Sequence, residues 1–172
     1  MELATTGPRV LIAYFSRTGN TARVARCLAH AYDVELEAIQ ASIGRSGPFG
    51  YLLSGYEAMF GREARIRPPL HAPRDYDIVL IGTPTWSGSI ASPVRSYLTR
   101  FAGSFPEVGF FVTSGGDGAE RVFSEMESLA RKMPLGRLAL TRRDFKGRWS
   151  VRLAEFWEAV LCGWESRALA AQ

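Results

Sequence analysis

Apolar residues occur along the chain in short continuous runs, separated by longer segments with helical periodicity. The runs cover residues 10–15, 34–39, 78–81, 108–112 and 138–140, and each has the length of a strand. Continuous apolar runs are typical of strands that are buried on both faces of a parallel sheet. Helical patterns over residues 22–32, 92–101, 119–132 and 151–167 follow four of the five runs. This alternation predicts an α/β fold, a doubly wound five-stranded parallel sheet in three αβα layers.

The connection between the second and third predicted strands, residues 41–76, is longer than a crossover helix requires. Its apolar residues recur at spacings of three and four, as in Phe49, Leu52, Tyr56, Met59 and Phe60. This pattern predicts an amphipathic crossover helix packed on the sheet, which we favour over a lid above a substrate site. A length of 172 residues and an apolar fraction of 47% predict that residues 1–172 form a single domain.

The first apolar run ends in a loop of hydroxyl and amide residues at which a helical pattern begins. The start of a helix leaves backbone N–H groups unpaired at the positive end of the helix dipole, so it favours an anion. The loop lacks the glycine spacing of a dinucleotide site and the Gly-Lys pair of a nucleoside triphosphate site. Ser, Thr and Asn are also ordinary helix caps, so the loop alone leaves open whether it binds a ligand.

This loop resembles the phosphate loop of the flavodoxin family, Ser/Thr-x-Thr-Gly-Asn-Thr, in its residues and in its place after the first strand. The resemblance covers nearly the whole chain and is to the short-chain type, without the long insertion in strand five. It implies the sheet order 2-1-3-4-5 and FMN as a non-covalent cofactor. The residues that it implies for the FMN phosphate are Ser16, Thr18, Gly19, Asn20 and Thr21, with Arg17 at the variable position.

Two glycine-rich loops follow the third and fourth predicted strands. In a sheet of this order the ligand crevice lies at the carboxyl ends of the strands, where the winding direction reverses. The loops resemble the two isoalloxazine loops of the family, with Trp86 as the flat apolar partner of the ring and hydroxyl or backbone donors at its pyrimidine edge. The implied residues are Thr83, Pro84, Thr85, Trp86, Ser87 and Gly88, and then Ser114, Gly115, Gly116 and Asp117. Asp117 is equally consistent with a turn residue.

The second of these loops departs from the family pattern because it contains no aromatic residue. Many flavodoxins sandwich the flavin between two aromatic rings, so one face of the ring is expected to be open here. The favoured function is an FMN-dependent electron carrier between protein partners. The alternative is an FMN-dependent NAD(P)H oxidoreductase that acts on quinones or similar acceptors. In both cases the flavin carries the chemistry, and no catalytic side chain is predicted.

Two further function classes are less well supported. A partner-binding module with this fold and no cofactor is a remote alternative, since the phosphate loop and Trp86 are both present. A hydrolase or phosphatase that uses a serine or cysteine nucleophile is disfavoured, because the chain has no Gly-x-Ser-x-Gly elbow and Cys27 falls inside a predicted helix, away from any anion loop.

The formal net charge is +4 and the isoelectric point is about 9.4. This favours acidic redox partners, whereas typical flavodoxins are themselves acidic. It also predicts an FMN that is easier to reduce, because carboxylates beside a flavin disfavour its anionic reduced form. The arginines are scattered and not interleaved with base-stacking aromatics, so no nucleic acid partner is predicted.

The two cysteines and the lengths of the apolar runs do not change this interpretation. Cys27 and Cys162 lie in separate predicted helices without a Cys-x-x-Cys pair, so they are expected to be buried thiols, and no metal site is predicted. No apolar run approaches the roughly 20 residues of a membrane span, and no signal sequence is apparent. The chain is therefore expected to be cytoplasmic, with its oligomeric state open.

Overall fold

A central parallel sheet organises the protein. The structure, a computed structural model, describes residues 7–42, 64–147 and 149–170. The strands are β1 (Val10–Tyr14), β2 (Glu35–Ala38), β3 (Ile78–Trp86), β4 (Ser89–Ile90), β5 (Glu107–Ser114) and β6 (Arg137–Thr141). The parallel strands lie in the order β2-β1-β3-β5-β6, and β4 pairs antiparallel with the end of β3. The predicted doubly wound five-stranded order is confirmed, with β4 as an addition.

Helices cover both faces of this sheet. They are α1 (Asn20–Tyr32), α2 (Ser92–Arg100), α3 (Ala119–Ala130) and α4 (Trp149–Ala170), and two short 3₁₀ turns span Pro73–Asp75 and Asp144–Lys146. One core cluster joins one sheet face to α2 and α3, and the other joins the opposite face to α1 and α4. The three αβα layers predicted from the sequence are therefore present.

The apolar runs form strands because both faces of each central strand are buried. Along β1, the side chains of Leu11 and Ala13 enter the cluster with α2 and α3, whereas Val10 and Ile12 enter the cluster with α1 and α4. A strand with a side-chain period of two needs an apolar residue at every position when both faces are covered.

The third strand is longer than predicted. The apolar run predicts an end at residue 81, but β3 continues through Trp86 and turns into β4, with Thr85 opposite Ile90 and Trp86 opposite Ser89. The turn uses left-handed backbone at Ser87 (φ 48°) and Gly88 (φ 75°). The segment interpreted as a glycine-rich loop is therefore largely a β-hairpin.

The connection between β2 and β3 is described only at its two ends. Ala41 forms a bridge with Ile66, and the N–H of Ser42 donates to the carbonyl of Arg65 at 2.8 Å, so the two ends lie side by side. The predicted amphipathic helix and its apolar face lie outside the described residues. The expectation of buried thiols is wrong: Cys27 and Cys162 are both exposed, because they lie on the outward faces of α1 and α4.

Candidate functional site

A cleft of about 250 Å³ lies at the carboxyl edge of the sheet. Its lining comes from the loop after β1, the end of β3, the end of β5 and the turn after β6. This is the switch point at which ligands bind in open α/β sheets. The lining includes eight residues that the sequence predicted and two that it did not: Arg17, Thr18, Asn20, Pro84, Thr85, Trp86, Ser114 and Gly115, and then Thr113 and Arg142.

The start of α1 contributes an anion-binding geometry to the cleft. Gly19 caps the helix in left-handed backbone (φ 95°), which favours glycine. The Ser16 hydroxyl accepts the Gly19 N–H at 3.2 Å, so it shapes the loop and does not line the cleft. No side chain caps the helix, and its first turn has no acidic residue. Its first N–H groups are therefore available to an anionic ligand.

Thr21 lies apart from the cleft surface. Its side chain is buried, and its hydroxyl shares a hydrogen bond of 2.8 Å with the hydroxyl of Thr113 at the end of β5. This bond joins the start of α1 to β5, a strand that β3 separates from β1 in the sheet. Thr21 and Thr113 thus hold together the two elements from which Asn20 and Ser114 reach the cleft.

The two threonines near the end of β3 have different surroundings. The Thr83 hydroxyl is fully buried, donates to the Pro84 carbonyl at 2.9 Å and accepts the Ala91 N–H at 3.1 Å. The Thr85 Oγ1 atom is buried and has no hydrogen-bond partner among the described residues, although Thr85 lines the cleft. A buried hydroxyl without a partner is costly, so Thr85 is suited to a polar ligand atom.

Trp86 stands between two other groups of the site. Its ring packs edge-on against Phe15, with 5.5 Å between centroids, and the Arg17 guanidinium lies 5.9 Å from its centroid. The ring is partly buried against the core and lines the cleft. Ser87 and Gly88 form the hairpin turn beyond it and are not among the lining residues.

An ion pair from the neighbouring helices holds this hairpin. The Glu125 carboxylate of α3 accepts the Ser89 hydroxyl at 2.7 Å and the Ile90 N–H at 3.2 Å, and it pairs with Arg95 of α2. The side chains of Arg95 and Glu125 are only 12% and 20% exposed. The strand that carries Trp86 is therefore anchored to both helices on this face.

The loop after β5 lines the cleft next to the end of β3, its neighbour in the sheet. The Ser114 hydroxyl donates to the carbonyl of Gly116, which closes the loop on itself, and Gly115 lines the cleft. Gly116 and Asp117 are exposed and lie outside the lining. This loop presents backbone and hydroxyl groups and no aromatic ring.

Arg142 is a site residue that the sequence analysis missed. It follows β6, and the turn that carries it is fixed by Asp144, whose carboxylate accepts the Thr141 N–H at 2.6 Å, the Thr141 hydroxyl at 2.8 Å and Arg152 of α4 at 2.9 Å. These bonds, the backbone N–H of Thr141 first, hold the pKa of Asp144 below its usual value. The available signal was position alone, since Arg142 directly follows a strand at the same sheet edge as the other loops.

Among the described residues, no group of His, Cys, Asp and Glu side chains is placed to hold a metal ion. The described helices also include none with the length and apolar content needed to cross a membrane.

Solved structures identify the fold, whereas neither a protein-family model nor a curated protein sequence matches this chain. A flavoprotein from Lactobacillus acidophilus, solved in complex with FMN, has 26% identity and a TM-score of 0.65 over 84% of this chain and 99% of its own. A candidate flavoprotein from Bacteroides eggerthii has 22% identity and a TM-score of 0.74, and the match covers 90% of this chain and 98% of that protein. An archaeal flavodoxin has 15% identity and a TM-score of 0.50, and the match covers 91% of this chain and 96% of that protein. The chain therefore has the flavodoxin-like fold, and the resemblance predicted from its sequence is confirmed by solved flavoproteins and flavodoxins that share it.

Proposed function

We propose that this protein is a flavodoxin-like redox protein that binds FMN without a covalent bond in the cleft at the carboxyl edge of its sheet. The observation that carries the proposal is the convergence of three predicted segments on one cleft: the α1 start with Thr18 and Asn20, the β3 end with Trp86, and the β5 end with Ser114. Each segment matches the chemistry of one part of FMN.

The residues present fit the cofactor in polarity as well as in position. The uncapped start of α1 suits a phosphate, and the hydroxyl and amide side chains of Thr18 and Asn20 add donors beside it. The buried Thr85 hydroxyl has no hydrogen-bond partner among the described residues, which suits a ligand that carries carbonyl oxygens and ring nitrogens. The Lactobacillus flavoprotein, which is 26% identical over 84% of this chain, supports the same ligand.

Each group of residues then has a distinct role in holding FMN. Ser16, Gly19 and Thr21 shape the loop and the helix start, and Arg17, Thr18 and Asn20 would hold the phosphate end. Pro84, Thr85, Trp86, Ser114 and Gly115 would hold the ring. Thr83, Ser87, Gly88, Gly116 and Asp117 act through the backbone geometry of their loops. When bound, FMN supplies reversible transfer of one or two electrons, and these side chains bind and orient it.

An FMN-dependent NAD(P)H oxidoreductase is a second candidate, favoured by one observation. The loop of residues 114–118 offers no aromatic ring to the cleft, so this loop would not cover a face of a bound flavin against a nicotinamide or a quinone. An electron carrier needs only an exposed ring edge. For either function we propose that residues 1–172 form one domain and act in the cytoplasm.

Steady-state kinetics separates the two candidates. The protein loaded with FMN is mixed with NADH or NADPH and a quinone, with no reductase added, and the loss of nicotinamide absorbance is followed. The carrier function predicts no turnover until a separate reductase is supplied. Sustained turnover by the protein alone would contradict the carrier and establish the oxidoreductase.

A further inference from the structure

Five cationic side chains belong to two elements that border the cleft, and we call them the cationic rim: Arg23, Arg26, Arg142, Arg143 and Lys146. All five are exposed. The first two belong to α1, whose start forms part of the cleft, and the other three belong to the turn after β6. The rim therefore combines side chains from two elements that are far apart in sequence.

Contacts between α1 and the β6 turn make this rim one continuous surface. The Arg23 guanidinium lies 4.8 Å from the ring centroid of Trp149 and 5.7 Å from that of Phe145. Phe145 precedes Lys146 directly, and Arg142 lines the same cleft as Asn20 at the start of α1. The two elements are thus in contact where the rim meets the cleft.

The two elements that carry the rim contribute little counter-charge of their own. Helix α1 contains no Asp or Glu, and Asp144, the single carboxylate of the β6 turn, is already bonded to Thr141 and Arg152. Within the part of the chain that the structure describes, none of the five rim cations forms an ion pair. These five positive charges exceed the formal net charge of the whole chain, +4.

Many cations elsewhere on the protein are neutralised by neighbouring carboxylates. The pairs include Arg9 with Asp77, Arg95 with Glu125, Lys132 with Glu107, Arg137 with Glu127, and Arg167 with Glu107. Because charges of one sign add when they lie on one face, the unneutralised rim creates a positive potential next to the cleft.

We propose that the cationic rim is the docking surface for a redox partner protein that presents a cluster of carboxylates. Complementary charge speeds encounter and orients the partner, and here it would bring the partner surface over the cleft. The proposal rests on the proposed function, because electrons pass through a flavin in that cleft. A nucleic acid fits less well, since Arg23 lies over the two aromatic rings beside the rim, Phe145 and Trp149, which are thus not open platforms for base stacking.

An NMR titration tests this surface whether or not the flavin is bound. The full chain, labelled with ¹⁵N, is titrated with reduced plastocyanin, an acidic copper protein, and separately with reduced cytochrome c, a basic haem protein. At about 10 mM ionic strength, where the Debye length is about 30 Å, weak charged complexes persist. We expect plastocyanin to shift the amide signals of the rim and its neighbours, with the shifts lost in about 1 M salt, where that length is about 3 Å.

Matched double variants distinguish the rim from net charge. In R26E/R143E both changes lie in the rim but outside the cleft lining, and in R74E/R131E both lie at the opposite edge of the sheet. Each pair lowers the formal charge by four, from +4 to 0. The rim variant should weaken plastocyanin binding at least about tenfold, and the control variant less than about threefold, because direct opposition of charges costs more than a change in distant charge.

Several outcomes would overturn the proposal. These are shifts that map away from the rim, equal effects of the two double variants, or the same shifts with cytochrome c. Tighter binding of a single-stranded oligonucleotide than of plastocyanin on the same residues would instead identify a nucleic acid surface. Failure of the chain to bind FMN is measured separately by flavin titration, so it is distinguishable from failure of the rim.

Discussion

The ion pair between Arg95 and Glu125 is the interaction whose loss should most affect the hairpin that carries Trp86. Breaking a fully buried pair costs about 3–5 kcal/mol, whereas an exposed pair contributes about 0–1 kcal/mol. Because the two side chains are 12% and 20% exposed, we expect Glu125→Gln to lower the free energy of unfolding by about 2–3 kcal/mol. The glutamine keeps the shape of the side chain and leaves the Arg95 charge uncompensated.

A second glutamate on the same helix provides the control. Glu120 also pairs with an arginine, Arg137, but its side chain is 85% exposed. Glu120→Gln should therefore change the free energy of unfolding by less than about 0.5 kcal/mol. Both variants are measured by urea denaturation with the slope of the transition compared to the unmodified protein.

The same variant should also weaken the proposed flavin site, because the Ser89 and Ile90 bonds to Glu125 hold the strand end that carries Trp86. We expect a weaker FMN affinity for Glu125→Gln than for Glu120→Gln. Equal stability of the two variants, or a loss below about 0.5 kcal/mol for Glu125→Gln, would refute this description of the pair as buried and anchoring.

Three further predictions concern packing, pH dependence and the cleft hydroxyl. Gly82→Ala should destabilise the fold by about 1–3 kcal/mol in urea denaturation, because the added Cβ would lie 2.1 Å from the Phe111 ring; an unchanged midpoint would contradict this close approach. The pKa of Asp144 is lowered in the folded protein from its usual value of 3.8. Its bonds therefore stabilise the fold fully at a pH above 3.8, and this stabilisation is lost as the pH falls through the pKa of the folded protein. Asp144→Asn should therefore lower the free energy of unfolding at pH 7 and make that free energy fall less as the pH is lowered. An equal fall in the variant and the unmodified protein would contradict a lowered pKa of Asp144. Thr85→Val removes a buried hydroxyl that has no hydrogen-bond partner in the described part of the chain, so it should leave thermal stability nearly unchanged while weakening FMN binding. Equal losses of both would indicate a structural role.

The fold was largely predictable because burial on both sheet faces leaves a strong mark on the sequence. The five apolar runs became β1, β2, β3, β5 and β6, and the helix boundaries differ by a few residues from those predicted. The strand order came from the family resemblance, since apolar runs alone do not specify which strands are neighbours. The hairpin at the end of β3 was missed because Gly, Thr, Pro and Ser are typical of loops. Its second strand is hydrogen-bonded to Glu125, which lies far along the chain.

The site was predictable in part. Eight predicted residues line the cleft because each lies at or just after the end of a strand at the same sheet edge. Thr21 and Thr83 fit the motif equally well, but their hydroxyls are bonded to Thr113 and to the backbone, which only the packing of α1 on β5 and the path of β3 determine. Arg142 was missed because it belongs to no motif, and its place in the cleft results from the turn fixed by Asp144.

Titration of the flavin-free protein with FMN and with riboflavin, followed by flavin fluorescence, tests the central claim most directly. Riboflavin lacks the phosphate that the α1 start is proposed to hold. Loss of two hydrogen bonds to a charged group, at about 1.5 kcal/mol each, corresponds to about a 100-fold weaker affinity. We predict one FMN per chain, at least that preference over riboflavin, and a smaller preference in a Thr18→Ala/Asn20→Ala variant, which keeps the backbone N–H groups of the helix start. Absence of FMN binding, or equal affinity for the two flavins, would contradict the proposed site.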